Sequence, residues 1–449
     1  MSLDTYRTFA LALVLLLVVP ASLTPLVVGY TPGDEAAVFG HTFAEDYWTN
    51  SSIPVRLGTG ANATMTASYV RVSDFQAFLI AFNEIYTTEG LKFVLPYQLF
   101  GMHYLTPSNK EVFIGAIFAF LLVHNESYGN NNLPDVGNEN AWFIVPLARD
   151  TSWPDVEADV EAIPVTVVEP YHFRFGMRYT NLTCRVVDAN NPAGFWLSLL
   201  LPIMNILISE FVVQYDVRVG ADGVVRAETL YTIGQVTRMK YLGFEIDPSL
   251  VIKDTMEISA VHYLSIFTSN YNVTRSSTGH TITPPTSTTP ASDNITIKIG
   301  SSERAFDIGL GRRYSLYDES TTPWTLLGDD YQALNCLLGA RRDDFALIAW
   351  QAPFSALIFA HMAYGLSARV RSMYAGVPQL AANAMNAFHN SQWWYAVTFP
   401  EWNGYRVQQD PTYVAYTNVS IAGGGGGGII VIAAIVVGVV ALVVIARRR

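Results

Sequence analysis

The clearest candidate for chemistry in this sequence is a polar loop that could bind a cation. Residues 125–139 read NESYGNNNLPDVGNE and lie between two apolar segments. The loop offers the carboxylates of Glu126, Asp135 and Glu139, together with the side-chain carbonyls of asparagines 130–132. Because Ca²⁺ accepts about six to eight oxygen ligands in flexible geometry, these residues are candidate calcium ligands. Their spacing differs from that of an EF-hand loop and only three carboxylates are present, so a glycosylated turn is the preferred interpretation and a calcium site is the alternative.

The sequence contains none of the common catalytic motifs. Its eight histidines include no pair at the spacing used by zinc proteases, and there is no nucleophile elbow, phosphate loop or Cys-x-x-Cys pair. We therefore nominate no catalytic residue and expect a protein that is not an enzyme. A hydrolase whose acid and base meet only on folding is one alternative. A b-type haem carrier is another, with ligands such as Met102, His103, His361 or Met362.

Two cysteines, Cys184 and Cys336, could form one disulfide in an oxidising compartment. The sequence alone leaves their pairing open. If formed, the bond would close a loop of about 150 residues and remove about 4–5 kcal/mol of unfolded-state entropy. Two cysteines in so long a chain differ from the dense disulfide frameworks of small secreted modules.

The densest aromatic cluster could form a surface that binds sugars or partner proteins. It consists of Trp393, Trp394, Tyr395 and Trp402. Flat aromatic rings stack on sugars and partner side chains, which supports the binding interpretation. Aromatic residues at this density near the end of a β-rich domain usually fill its core, which is the preferred interpretation, and contact with a membrane surface is a further alternative.

The elements that must position these residues are mainly strands. Residues 211–219 and 224–232 are rich in β-branched and aromatic residues and flank a Gly-Ala-Asp-Gly turn, which predicts a hairpin. Further strands are predicted at 236–244, 254–267 and 295–299. The expected fold is therefore mainly β, a sandwich-like ectodomain with a few buried helices, and α+β is the alternative.

Two long apolar stretches, residues 195–213 and 346–366, could be core helices or membrane spans. Polar residues inside them, such as Glu210 and Gln351, are costly in lipid. We therefore predict core helices packed against the sheet, because these would bury the same apolar residues without that cost.

A segment rich in Ser, Thr and Pro, residues 275–293, divides the chain. This composition cannot bury a core face and predicts a linker or a long surface loop. It would separate a β-rich extracellular domain, residues 30–274, from a second extracellular region, residues 294–422. One large domain with an exposed insertion is the alternative.

Both ends of the chain carry apolar segments that predict a membrane protein. Residues 1–29 have the order of a secretory signal peptide, and an uncleaved anchor is the alternative. Residues 429–446 carry no polar side chain and would span about 27 Å as a helix, enough to cross a bilayer core. The preceding glycines, residues 423–428, predict a flexible joint. The arginines at 447–449 predict a cytoplasmic tail.

Composition agrees with exposure on the outside of a cell. The net charge of −11 offers no basic patch for phosphates, so we expect no nucleic-acid partner. Few cysteines and a terminal arginine cluster favour an archaeal cell surface. We expect a single-pass membrane protein with a structural or binding role, with surface-layer or other cell-surface proteins as partners.

Glycosylation is predicted at Asn50, Asn62, Asn125, Asn181, Asn272, Asn294 and Asn418.

Overall fold

The fold is mainly β, as the sequence predicts. The computed structural model describes residues 47–57, 61–87, 92–93, 98–127, 140–146, 153, 155–188, 203–252, 255–268, 280–283, 294–299, 303–309, 313–339 and 393–421. About three quarters of these residues lie in strands, and the one helical element among them is a short 3₁₀ turn, Pro248–Leu250.

The strands have the following bounds. The first half contains β1 Tyr47–Leu57, β2 Ala61–Val72, β3 Phe75–Thr87, β4 Lys92–Phe93, β5 Gln98–Leu105, β6 Glu111–Asn125, β7 Asn140–Pro146, β8 Asp159–Glu169, β9 His172–Asp188, β10 Met204–Val219, β11 Val224–Ile233 and β12 Val236–Tyr241. The second half contains β13 Phe244–Ile246, β14 Met256–Thr268, β15 His280–Thr283, β16 Asn294–Ile299, β17 Glu303–Gly309, β18 Arg313–Asp318, β19 Thr325–Gln332, β20 Leu334–Gly339, β21 Trp393–Phe399, β22 Arg406–Gln409 and β23 Thr412–Tyr416.

These strands form one continuous, curled antiparallel sheet. The strands β1, β2, β3, β5 and β6 follow one another as neighbours. Strand β6 then pairs with β7 and with β14, and β14 continues through β21 to β20. From β7 the sheet runs through β9 and β10 to β11, which also pairs with β22 and β23. Strand β6 therefore joins the N-terminal meander to the later strands.

One hydrophobic cluster fills the inside of the curl. Phe100 of β5 stacks on Tyr215 of β10 with ring centroids 4.1 Å apart. Phe118 of β6 and Phe211 of β10 have ring centroids 4.8 Å apart. The same cluster takes alternate residues from β9, β11, β14, β17 and β23. Because all these strands contribute to one core, the curled sheet wraps around it.

The predicted hairpin at residues 211–232 is confirmed as β10 and β11. Their register pairs Phe211 with Ile233 and Val219 with Val225 across the turn at residues 220–223. Gly223 has φ +77°, a conformation that a side chain rarely adopts. A Cβ there would lie 2.6 Å from the carbonyl oxygen of Thr417. The turn therefore requires glycine for both conformation and space.

The prediction of a core helix at residues 195–213 is wrong for its second half. Residues 204–213 belong to β10, and the residues before 203 lie outside the described part of the chain. Residues 205–208 are all buried, since both faces of the strand are covered there. A doubly buried strand reads as a continuous apolar run, and such a run cannot be told from a buried helix by periodicity. The other predicted helix, at residues 346–366, is not among the described residues.

The predicted division of the chain at residues 275–293 stays a prediction. Strand β15 lies within this segment and pairs with β16. Strands that precede the segment pair with strands that follow it, as β14 does with β21 and β11 with β23.

The predicted terminal segments lie outside the described residues. These are the signal peptide at 1–29, the glycine joint at 423–428, the span at 429–446 and the tail at 447–449. In the part of the chain that the structure does describe, no helix has the length and apolarity needed to cross a membrane.

Candidate metal centre

Strands β6 and β14 bring three metal-ligating side chains together at one end of their pairing. Their register places His124 opposite Glu257 and Asn125 opposite Met256. The pairing extends one step further, because the backbone N–H of Glu126 donates to the carbonyl oxygen of Thr255 at 3.2 Å. Alternate residues of a strand share a face, so His124 and Glu126 project on the same side. Glu257 lies on that side as the cross-strand partner of His124.

The three side chains form a compact group in which His124 and Glu257 are buried, while Glu126 is half-buried with both carboxylate oxygens shielded from solvent. One ligand atom from each of His124, Glu126 and Glu257 lies within 4.8 Å of the others. His124 Nε2 and Glu257 Oε2 are 3.3 Å apart. His124 is 0% exposed and Glu257 is 3% exposed. The residues therefore have the types, the proximity and the burial of a metal-binding group.

The polar atoms of this group lack hydrogen bonds. Both ring nitrogens of His124, both carboxylate oxygens of Glu126 and Oε2 of Glu257 have no hydrogen-bond partner among the described residues. The 3.3 Å contact between His124 and Glu257 is close enough for an ion pair but does not have hydrogen-bond geometry. A buried polar group without a partner costs about 1–3 kcal/mol, and a charged one costs more. Two carboxylates and an imidazole in this state form a site that a cation would stabilise.

The surrounding face of the sheet shows why the cluster is buried. Leu121 and Val123 of β6 belong to the main core, whereas Leu122 and His124 point to the opposite face. Leu122 is nevertheless 0% exposed, as are Ser259 and Val261 on the same face of β14. The sheet is therefore covered on both sides here, so polar groups on either face must find partners inside the protein.

Other buried polar groups nearby do have partners. Ser259, two residues after Glu257 on β14, pairs its hydroxyl with that of Thr398 on β21 at 2.7 Å. Ser259 shows that a polar group on this face can be satisfied inside the sheet, whereas five atoms of His124, Glu126 and Glu257 have no hydrogen bond to described residues.

A buried ion network around Arg406 provides a direct comparison. Arg406 of β22 is 4% exposed and pairs with both Glu210 of β10 and Glu319. Arg178 of β9 donates to Glu210 at 3.2 Å, and the ring of Trp324 lies 3.7 Å from Arg406 Cζ. Every charge in this network faces an opposite charge, which is the usual condition for burying ions. No arginine or lysine plays that part in the ion pairs found around Glu126 and Glu257 in the described structure.

The sequence-based cation prediction shares one residue with this centre. Glu126 was predicted as a calcium ligand, and the structure places it beside His124 and Glu257. Asp135 and Glu139, the other two predicted ligands, lie outside the described residues. The His-x-Glu spacing of His124 and Glu126 could have indicated a shared strand face. Glu257 could not have been found this way, since only the register of β6 with β14 reveals it.

The structure places the remaining predicted site residues separately. Cys184 is buried on β9, with Sγ 3.5 Å from the carbonyl oxygen of Leu182, and burial raises the pKa of its thiol. The side chain of Cys336 is not described, so the predicted disulfide stays a prediction. Met102 and His103 are adjacent on β5 and thus point to opposite faces, which prevents them from ligating one haem iron together.

The predicted aromatic surface is described at one of its four side chains. Trp402 is 1% exposed and belongs to the main hydrophobic core. It is therefore not available as a surface platform, because it fills the space between strands. Trp393, Trp394 and Tyr395 lie in β21, and the structure does not describe their side chains.

The predicted glycosylation sites stay predictions. Asn181 is exposed on β9 with φ +53°, and Asn125 is half-buried at the end of β6. Asn50 Oδ1 accepts a hydrogen bond from the backbone N–H of Ser52 at 3.1 Å. Asn418 Nδ2 donates to Asn109 at 2.8 Å. The side chains of Asn62, Asn272 and Asn294 are not described.

Comparison with known proteins gives no family for this chain. No protein-family model matches the sequence, and no curated protein is significantly similar to it.

Proposed function

We propose that this protein is a membrane-anchored, glycosylated ectodomain with a structural or binding role at the cell surface. The observation that carries the proposal is the way in which the last described residues pack. Thr417 donates its backbone N–H to the carbonyl oxygen of Gly223, and Asn418 donates to that of Leu105, both at 2.8 Å. The chain therefore remains bonded to and packed against the sheet as far as Ile421. The predicted glycine joint and the apolar segment predicted to span the membrane follow directly in the sequence.

The surface around this exit point supports the same orientation. The turn between β8 and β9 lies at the same end of the sheet, since Val219 beside the β10–β11 turn donates its N–H to the carbonyl oxygen of Tyr171 at 3.0 Å. Val167, Val168 and Tyr171 in this region are 45%, 44% and 43% exposed. Aliphatic residues and tyrosine at the end nearest a membrane anchor suit contact with lipid headgroups.

The fold also supports a structural role. Long strands pair along most of their length, and buried charges such as Arg406 and Glu210 connect strands that are distant in sequence. These backbone pairings and buried ion pairs favour a single rigid arrangement of the sheet. We therefore propose a stable exterior module that binds surface-layer or other cell-surface proteins, in an archaeal cell envelope.

The experiment is a comparison of the full chain with a chain that ends at residue 422. The full chain is expected in the membrane fraction, resistant to extraction by salt or alkali and released by detergent. The shortened chain is expected in the medium, folded and carrying glycans at the predicted asparagines. Recovery of the full chain in the soluble fraction would contradict the anchor. Retention of the shortened chain inside the cell would contradict export.

A further inference from the structure

We propose that His124, Glu126 and Glu257 bind one divalent transition-metal ion, with Zn²⁺ as the reference ion. This site does not depend on the membrane anchor or on the proposed cell-surface role. It replaces the calcium prediction for Glu126 with a different ligand set and a different class of ion.

The burial of two carboxylates together is the first reason to infer a cation. Glu126 and Glu257 place their oxygens within 4.8 Å of each other and of a His124 nitrogen. Like charges at this separation repel strongly where water is excluded. In the buried Arg406 network, arginines compensate the carboxylates. Here the compensating group in the described residues is a single imidazole, which carries one positive charge at most. A divalent ion would balance both carboxylates.

The unsatisfied atoms are the second reason. His124 offers two ring nitrogens without hydrogen-bond partners in the described structure, although its side chain is fully buried. Buried imidazoles almost always use at least one nitrogen as donor or acceptor. A metal bond to Nε2 would use the nitrogen that points at Glu257. Three of the unpaired atoms, one from each of the three residues, would then become ligands.

The ligand types select the class of ion. Ca²⁺ and Mg²⁺ are bound through oxygen, whereas imidazole is a preferred ligand of Zn²⁺ and related transition ions. Tetrahedral Zn²⁺ with bonds of about 2.0–2.1 Å separates its ligand atoms by about 3.3–3.4 Å. The Nε2 to Oε2 distance of 3.3 Å between His124 and Glu257 matches this separation. The group as a whole fits within 4.8 Å, so a movement of Glu126 of at most about 1.5 Å would complete the triad.

The backbone allows that movement and gives the ion a structural effect. Glu126 lies one residue beyond the end of β6, where it is held by one backbone hydrogen bond to Thr255. His124 and Glu257, by contrast, are fixed within paired strands. The ion would therefore bind a preformed pair and close the third ligand onto it. This would fasten the end of β6 to the start of β14. Three protein ligands leave one position for water.

The test uses the full chain in detergent, without a histidine tag, stripped with EDTA and dialysed. Zn²⁺ is then titrated by calorimetry, and thermal unfolding is followed with and without the ion. We expect one equivalent of Zn²⁺ per chain and a rise in Tm of several degrees. Co²⁺ at the same site should give visible d–d absorption in the stripped protein. Absence of both binding and a Tm shift would overturn the proposal, as would a response to Ca²⁺ that Zn²⁺ does not reproduce.

Three variants assign the binding to these residues. Glu257→Gln and His124→Gln should weaken Zn²⁺ binding by at least about 10–100-fold and abolish the Tm rise. Glu126→Gln should weaken it as well, and its position beyond the strand end makes it the variant that best preserves the fold. The matched control is Asn125→Gln, which lies between two ligands on the opposite face and should bind Zn²⁺ normally. Because Asn125 is also a predicted glycosylation site, the unmodified chain and all variants are produced in a host that does not glycosylate them. Equal binding by Glu126→Gln and Asn125→Gln would overturn the assignment.

Discussion

Replacement of Arg406 by methionine is expected to destabilise the fold by about 3–5 kcal/mol. Arg406 lies on β22 with 4% of its surface exposed, and it compensates both Glu210 and Glu319. Methionine keeps much of the volume and length of arginine. The cost therefore comes from the buried negative charges that remain, and only to a small extent from a cavity.

Arg178, the other arginine that contacts Glu210, is too exposed to replace the charge compensation that Arg406 provides. Arg178 contacts Glu210 at 3.2 Å, but 47% of the Arg178 side chain faces solvent. Exposed pairs of this kind contribute about 0–1 kcal/mol. Arg178→Met is therefore the matched control and should cost less than about 1 kcal/mol. Neutralising the stranded acid with Glu210→Gln in the Arg406→Met background should recover part of the loss, since the uncompensated charge is then removed.

The assay is urea unfolding of the full chain in detergent, followed by tryptophan fluorescence. Each variant is compared with the unmodified chain for the transition midpoint and the slope. A loss below about 1 kcal/mol for Arg406→Met would refute the interpretation that this network is buried and essential. A double variant no more stable than the single one would show that stranded charge is not the cause.

Three further predictions follow from individual residues. Gly223→Ala should cost more than about 1 kcal/mol, because φ is +77° and the added Cβ would lie 2.6 Å from Thr417 O; an unchanged urea midpoint would contradict this. Burial lowers the pKa of His262 from 6.5 to about 4, so stability should fall by up to about 3 kcal/mol as pH drops between these values, when the unfolded chain takes up the proton first. His262→Phe should remove that part of the acid sensitivity, and an identical pH profile for this variant would refute the cause. Although burial raises the pKa of Glu303, hydrogen bonds from Lys110 and its neighbours lower it from 4.5 to about 2. The contribution of Glu303 to the free energy of unfolding is thus present above pH 4.5 and lost towards pH 2. Glu303→Gln should therefore reduce stability by about 1–2 kcal/mol at pH 7 and have almost no effect near pH 2, as measured by thermal unfolding.

The sequence predicted strands well where one face is buried. Residues 211–232 alternate between core and exterior around a glycine turn, and this local pattern defines a hairpin without any distant contact. The pattern failed at residues 204–210, where both faces of β10 are buried and the alternation disappears. For Trp402, aromatic composition left a surface cluster open beside the preferred core position, and the structure places this side chain in the core.

The candidate metal centre was only partly visible in the sequence. The polar segment at residues 125–139 indicates Glu126 as a candidate cation ligand. Its partners His124 and Glu257 face each other only because β6 pairs with β14. In the sequence, strands β7 to β13 lie between these two strands. Such long-range register is set by the packing of the whole core, and no local motif encodes it.

The most direct test of the proposed function is protease treatment of intact cells that express the full chain with a C-terminal epitope. Cleavage from outside should remove the glycosylated β-rich part and leave a small membrane-bound fragment that carries the epitope. The same fragment should stay protected until the membrane is permeabilised. An intact chain after external protease, or an epitope lost without permeabilisation, would contradict the proposal that residues 429–446 anchor an exterior module.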